Sequence, residues 1–264
     1  MHRLLEVEDS RADSRFGIGA VDIVSYGVFV FIAVLTLISV DWTFVEGMDF
    51  GALWPYREAL ARGIGLTLTV SASAIGIGIS LGTILAILLQ APIGPFRYFV
   101  MAYVEIARNT PLIVQLFWIH FALPLVTGIS TSAVQSGFIA IGFQASGYLT
   151  DIARAGIQAV PRGQSEACHA LGLPARVKWM TVILPQALKI VIPPLANVSI
   201  SFFKASSILS ILSVGELMSM GMRVSEANFK PIETITFCGL VYIVLGTVFS
   251  RATQRLEALT KERR

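Results

Sequence analysis

Charge is what this sequence has least of. Asp, Glu, Lys and Arg make up 14% of its 264 residues, against about 25% in an ordinary soluble domain. Two long stretches, Gly63 to Phe96 and Asn109 to Thr150, contain none of the four. A helix crossing a bilayer needs roughly 20 mainly apolar residues, so each stretch is long enough for one span and the longer for nearly two. A soluble core of that extent is excluded. Cysteine is almost missing too: Cys168 and Cys238 form no framework and no metal-type spacing, and they read as structural thiols. The three histidines, His2, His120 and His169, make no His-x-x-x-His pair, and no Gly-x-Ser-x-Gly elbow occurs. There is no Gly-Lys dipeptide, hence no Gly-Lys-Ser/Thr phosphate loop. The chain therefore does not hydrolyse ATP through that motif, and it does not read as an enzyme.

What is present is apolar: 55% of the residues are hydrophobic, with a mean hydropathy of +0.72. They fall into six blocks, predicting an all-α integral membrane protein with spans at about 23–40, 63–90, 98–123, 132–153, 183–212 and 232–250. The second block carries Ala74, Gly78, Gly82 and Ala86, small residues four apart that let another helix come close. Pro124 and Gly128 supply a turn between the third and fourth spans. The fifth holds Pro185, Pro193 and Pro194 with Lys189, Lys204, Ser206 and Ser207; Pro193 and Pro194 predict a broken helix facing protein or a wet cavity rather than lipid.

Basic residues sit mainly in the segments that are inside if the N-terminus is inside, while the outer loops hold Arg57, Arg62, Arg223 and Lys230. Both termini and the loop at about 154–182 are thus expected in the cytoplasm. The same distribution explains a net charge of +3 without a nucleic-acid partner. The first twenty residues mix Arg3, Arg11 and Arg15 with Glu6, Glu8, Asp9 and Asp13 and show no small-residue cleavage site, so they do not read as a secretory signal.

The inside loop reads Val160-Pro161-Arg162-Gly163-Gln164-Ser165-Glu166-Ala167-Cys168-His169-Ala170-Leu171-Gly172-Leu173-Pro174. This is a short helix with marked ends: Pro161 suits the first turn, Gly172 a left-handed C-terminal cap, and Pro174 stops continuation. Gly163, Ala167, Ala170 and Leu171 share one small, mildly apolar face, flanked by Glu166 and His169. Outside the bilayer such a face has no core to bury it, which predicts a docking surface for a cytoplasmic protein.

Glu166-Ala167-Cys168, Gly172, and then Val182, Leu184 and Pro185 keep the spacing of the EAA loop, and the segment resembles that loop in ATP-binding-cassette (ABC) importer permeases. Cys168 replaces an Ala and Val182 an Ile. Glu105 to Phe117 is similar to the Arg-Gly-Thr-Pro-Leu-Leu-Val-Gln-Leu segment of the polar amino acid permeases, the group importing histidine, glutamine, arginine, glutamate or opines. Thr67 to Ser71, Tyr148 to Ile157 and Leu184 to Leu188 match that group as well, so the resemblance covers about residues 60–255. It implies a type I ABC importer permease core of five helices plus one extra N-terminal span. The organisation expected is a tail, extra span and outside loop at 1–60, the transmembrane domain at 61–255, and a basic tail at 256–264.

The resemblance also implies a bacterial inner (plasma) membrane location and a set of partners. These are a second permease subunit in a homo- or heterodimer, ABC ATPase subunits that bind the ATP and Mg, and an extracytoplasmic solute-binding protein that delivers the amino acid. Glu166, Ala167 and Gly172 are the positions it implies for ATPase coupling. Two departures fall near the expected pathway: Ala205 follows Lys204 where the family has Asp or Asn, and Gln144 to Tyr148 replaces Asn-Ser-Ala/Gly-Tyr.

Polar side chains at membrane depth are the remaining candidates. Lys204 either pairs with a substrate carboxylate or serves the helix itself, and Asn197, Ser206 and Ser207 border it. Gln115 and Gln144 either tie helices together or line the route. His120 is expected to play an interfacial or capping role, and Asp151 and Arg154 to form an i,i+3 pair. A secondary transporter driven by an ion gradient is the alternative from another class. It predicts relay charges in several spans and an internal repeat, and the sequence has neither.

Overall fold

In a lipid environment every backbone amide must find an internal partner, and a long apolar run achieves this only as a helix. A computed structural model describes residues 20–91 and 94–261, and among them no strand occurs. The chain divides into two compact units, at Met48 and Asp49. The first contains α1 (Ala20–Ser39) and α2 (Trp42–Glu46). Asp41 caps α2, its carboxylate accepting from the Thr43 and Phe44 amides and the Thr43 hydroxyl.

The second unit opens with a 3₁₀ turn at Phe50–Tyr56 and continues as α3 (Arg57–Leu88), α4 (Phe96–Asn109), α5 (Leu112–Phe117), a π turn at Trp118–Ala122, α6 (Leu123–Thr127) and α7 (Ala133–Gln158). Then come α8 (Arg162–Ala170), α9 (Ala175–Val177), a π turn at Lys178–Ile183, α10 (Leu184–Ala205), a 3₁₀ stretch at Ser206–Leu212, α11 (Leu217–Asn228) and α12 (Pro231–Lys261). By length and composition the stretches Trp42–Leu88, Ala175–Leu212 and Pro231–Arg255 can cross a membrane, and so can Phe96–Thr127 if its two arms count as one span.

The third predicted span is not one straight helix. Phe96–Asn109 and Leu112–Thr127 meet at 108°. Proline disfavours helical backbone in the residue before it, and Thr110 accordingly sits at φ −88°, ψ 129°, just ahead of Pro111. The fifth span corrects the reading in the other direction. α10 runs unbroken through Pro193 and Pro194, and its irregular turns lie at either end instead. Here the neighbouring helices hold the shape that local propensity opposes.

α7 is the centre. It is 26 residues long, and most of its buried residues are Ser, Gly, Ala and Thr. Ala74, Gly78, Gly82 and Ala86 of α3 are all buried. A Cβ on Gly78 would stand 2.8 Å from Ala145 Cβ, and one on Gly82 2.8 Å from the Thr150 amide nitrogen. The four-residue stripe is thus the surface on which α3 meets α7 backbone to backbone, as close packing between membrane helices requires. Val70, Leu112, Leu116, Ile141, Phe202 and Leu209 fill the core around this contact.

α11 lies between two apolar stretches and is anchored by a residue that the sequence did not single out. Glu216 is fully buried. It caps α11 by accepting from the Met218 and Ser219 amides at 2.8 Å, and it accepts from the Tyr242 hydroxyl at 2.9 Å. The Leu217 amide donates to Thr67 on α3, so α3, α11 and α12 are joined at one point.

Candidate coupling helix and translocation path

α8 begins directly after Pro161, which cannot donate a helical hydrogen bond, and ends in a left-handed cap at Gly172 with φ +67°. The Leu173 amide reaches back to Cys168 O and the Gly172 amide to His169 O, both at 3.0 Å. This pair of bonds is a Schellman motif, and it needs a residue that tolerates positive φ. Glu166 and Ala167 are exposed, as are Gly163 and Ala170. Leu171 is 75% exposed. The opposite side is anchored: Cys168 is buried, and the Lys178 ammonium donates to Ser165 Oγ at 3.0 Å and lies 3.2 Å from His169 Nε2. Lys178 opens the π turn that leads into α10. Below it Val160, Ile183 and Ala187 form a small core with Trp179 and Val182 packed against it. α8 is therefore tied to the foot of α10.

The candidate path residues form two groups. Gln115 and Gln144 converge on the bend after α4. Gln115 Nε2 donates to Ala107 O at 2.9 Å and Thr110 O at 3.2 Å, and Gln144 Nε2 donates to Thr110 O at 3.0 Å. Both amides thus satisfy carbonyls freed where the helix breaks. Gln115 Oε1 is buried and has no partner among the described residues. It borders an apolar cavity of about 450 Å³ with Thr110, Trp118 and Phe143. Arg108, at the end of α4, pairs with Asp151 of α7 and lies over the Tyr148 ring. Asp151 therefore bonds across helices rather than with Arg154, because α4 packs closely on α7 at Gly147, which brings Arg108 alongside it. His120 Nδ1 is 2.9 Å from the buried Ser136 Oγ, which also meets Thr131 Oγ1 at 2.7 Å, an arrangement that ties the π turn to the start of α7.

The second group lies on α10. Asn197 and Lys204, seven residues apart on one face, are exposed. Ser206 is buried and donates to Phe203 O at 2.7 Å, while the Ser207 hydroxyl donates to Lys204 O at 2.9 Å. These hydroxyls satisfy carbonyls at the tightening end of the helix. Lys204 and Ser207 open into a groove of about 680 Å³ toward α12, whose α12 side, with Arg251, was not foreseen from the sequence.

Close-packed apolar helices, with an exposed, capped helix on the loop between α7 and α10, define the class of the chain as a polytopic membrane protein. The chain matches the family described as binding-protein-dependent transport system inner membrane component over residues 78–262, and it belongs to that family. It is 29% identical over 214 residues to the arginine transport system permease protein ArtQ of Bacillus subtilis, covering 81% of this chain and 98% of that one. It is 31% identical over 186 residues to the glutamate/aspartate import permease protein GltK of Escherichia coli O6:H1, covering 68% and 83%. A crystal structure of an amino acid ABC transporter with histidines superposes with a TM-score of 0.75 at 31% identity, over 80% of this chain and 98% of that one. The fold is that of a type I ABC importer permease in a multi-pass inner membrane protein, and an ion-coupled transporter acting alone has no support.

Proposed function

We propose that this chain forms the translocation pathway of an amino acid importer and that α8 is the seat of a separate ABC ATPase. The carrying observation is that α8 leaves Glu166, Ala167 and its whole small face exposed, while its other side is pinned through Lys178 to the foot of α10. The ATPase binds the ATP and Mg, and this subunit contributes no catalysis. A solute-binding protein supplies the amino acid from outside. A second permease subunit, identical or not, covers the polar face of α10 marked by Asn197 and Lys204, which is costly against lipid. Both termini lie in the cytoplasm. The added segment is 1–60, the transmembrane domain 61–255 and the basic tail 256–264.

The test is Gly172→Val. Nothing stands within 4 Å of a Cβ at this position, so the variant acts through backbone conformation. Left-handed backbone costs about 1–2 kcal/mol in a residue with a Cβ, which unwinds the cap without touching the membrane core. The variant is expected to insert at normal yield and to lose ATPase on co-purification. Normal ATPase recovery together with normal transport-stimulated hydrolysis would remove α8 from the coupling role.

A further inference from the structure

The groove between α10 and α12 carries two cations and no acid. Lys204 and Arg251 line it together with Ser207, Thr247, Ser250 and Gln254, and among the described residues no Asp or Glu does. Lys204 lies well inside the apolar stretch Ala175–Leu212. Its stem lies over the buried Gly246, Cε 4.0 Å from where a Cβ would stand, so the absence of a side chain there gives the lysine room to lie along α12. Among the described residues neither cation has an ion-pair partner. An unpaired lysine within a span is disfavoured unless water or an anion reaches it, and its charge is repelled by that of Arg251, at the end of the α12 span, when the groove is empty. Hydroxyls and an amide alternate with the cations, providing donors and acceptors for a small polar ligand.

We propose that this groove is an anion site in which Lys204 and Arg251 receive the two carboxylates of a dicarboxylic amino acid, with the hydroxyls and Gln254 left to take its ammonium group. This rests on the permease reading above and extends it to the class of cargo: the path selects acidic amino acids over neutral or basic ones. Arg251 matters as much as Lys204, because a guanidinium grips a carboxylate through two parallel hydrogen bonds that a point charge does not reproduce.

The experiment measures binding of radiolabelled L-glutamate to the permease–ATPase complex in phosphatidylcholine nanodiscs, without the binding protein, so that the selectivity is the groove's own. L-glutamine and L-arginine serve as competitors. L-glutamate is expected to outcompete L-glutamine by about tenfold or more, Arg251→Gln and Lys204→Gln each to abolish that preference, and Arg251→Lys to restore part of it. Equal affinity for all three amino acids, an unchanged preference in Arg251→Gln, or no glutamate binding at all overturns the proposal. So does loss of glutamate binding when phosphatidylglycerol is added to the nanodiscs, since the groove would then be a lipid headgroup site. Uptake of the three amino acids by cells carrying the complete transporter keeps the two readings apart. Uptake that ignores side-chain charge overturns the anion site alone, whereas uptake of none overturns the amino acid permease as well.

Discussion

Thr110 O shows how single side chains make an interrupted membrane helix tolerable. Proline leaves carbonyls without helical partners, and lipid supplies none. Gln115 and Gln144 provide the missing donors from two different helices. Removing a donor and leaving a buried carbonyl unsatisfied costs about 1–3 kcal/mol. Gln115→Leu, which removes the donor to the buried Ala107 O, is therefore expected to lower the melting temperature of the detergent-purified protein, and an unchanged melting curve would show that Ala107 O finds its partner elsewhere. The sequence identified both glutamines as polar residues at depth. It did not reveal their partner, because the 108° bend that brings Thr110 to Gln144 depends on α7 being there to receive it.

Among the elements, the α3–α7 contact is the most exacting. Gly76 and Gly82 are in the same helix, six residues apart, yet a Cβ on Gly76 meets nothing within 4 Å while one on Gly82 runs into the α7 backbone. Gly76→Val is expected to fold and insert like the parent. Gly82→Val is expected to cost about 1–3 kcal/mol or more, since overpacking against backbone has no side chain to yield. Comparing the recovery of the two folded variants by size-exclusion chromatography tests this, and equal recovery would mean that α3 and α7 do not meet along the stripe. The spacing of the stripe was legible beforehand. Which helix it faced was not, because the spacing of small residues along one helix does not encode which neighbour approaches it.

For the molecule as a whole, the arrangement of basic residues predicts which loops lie on which side of the membrane. Reporter fusions at residue 50 are expected to read outside, and fusions at 165 and 264 inside. An outside signal at 165 would place α8 where no ATPase can reach it and would overturn both orientation and coupling. This prediction is independent of the packing, since the positive-inside bias is set during insertion by charges near the span ends.

The sequence by itself determined that this is a helical membrane protein, and also where most of its helices run, the capped helix at 162–170, and the family. These follow from composition, periodicity and short motifs, which act over one or two turns of chain. Tertiary structure decided which side chains meet. Arg108 takes Asp151 from Arg154, the α10 prolines stay helical, Glu216 is buried beneath Tyr242, and Arg251 joins Lys204 in one groove. The three contacts among these join segments distant in sequence, and the energy of such a contact depends on the approach and angle of two helices, which no local pattern encodes.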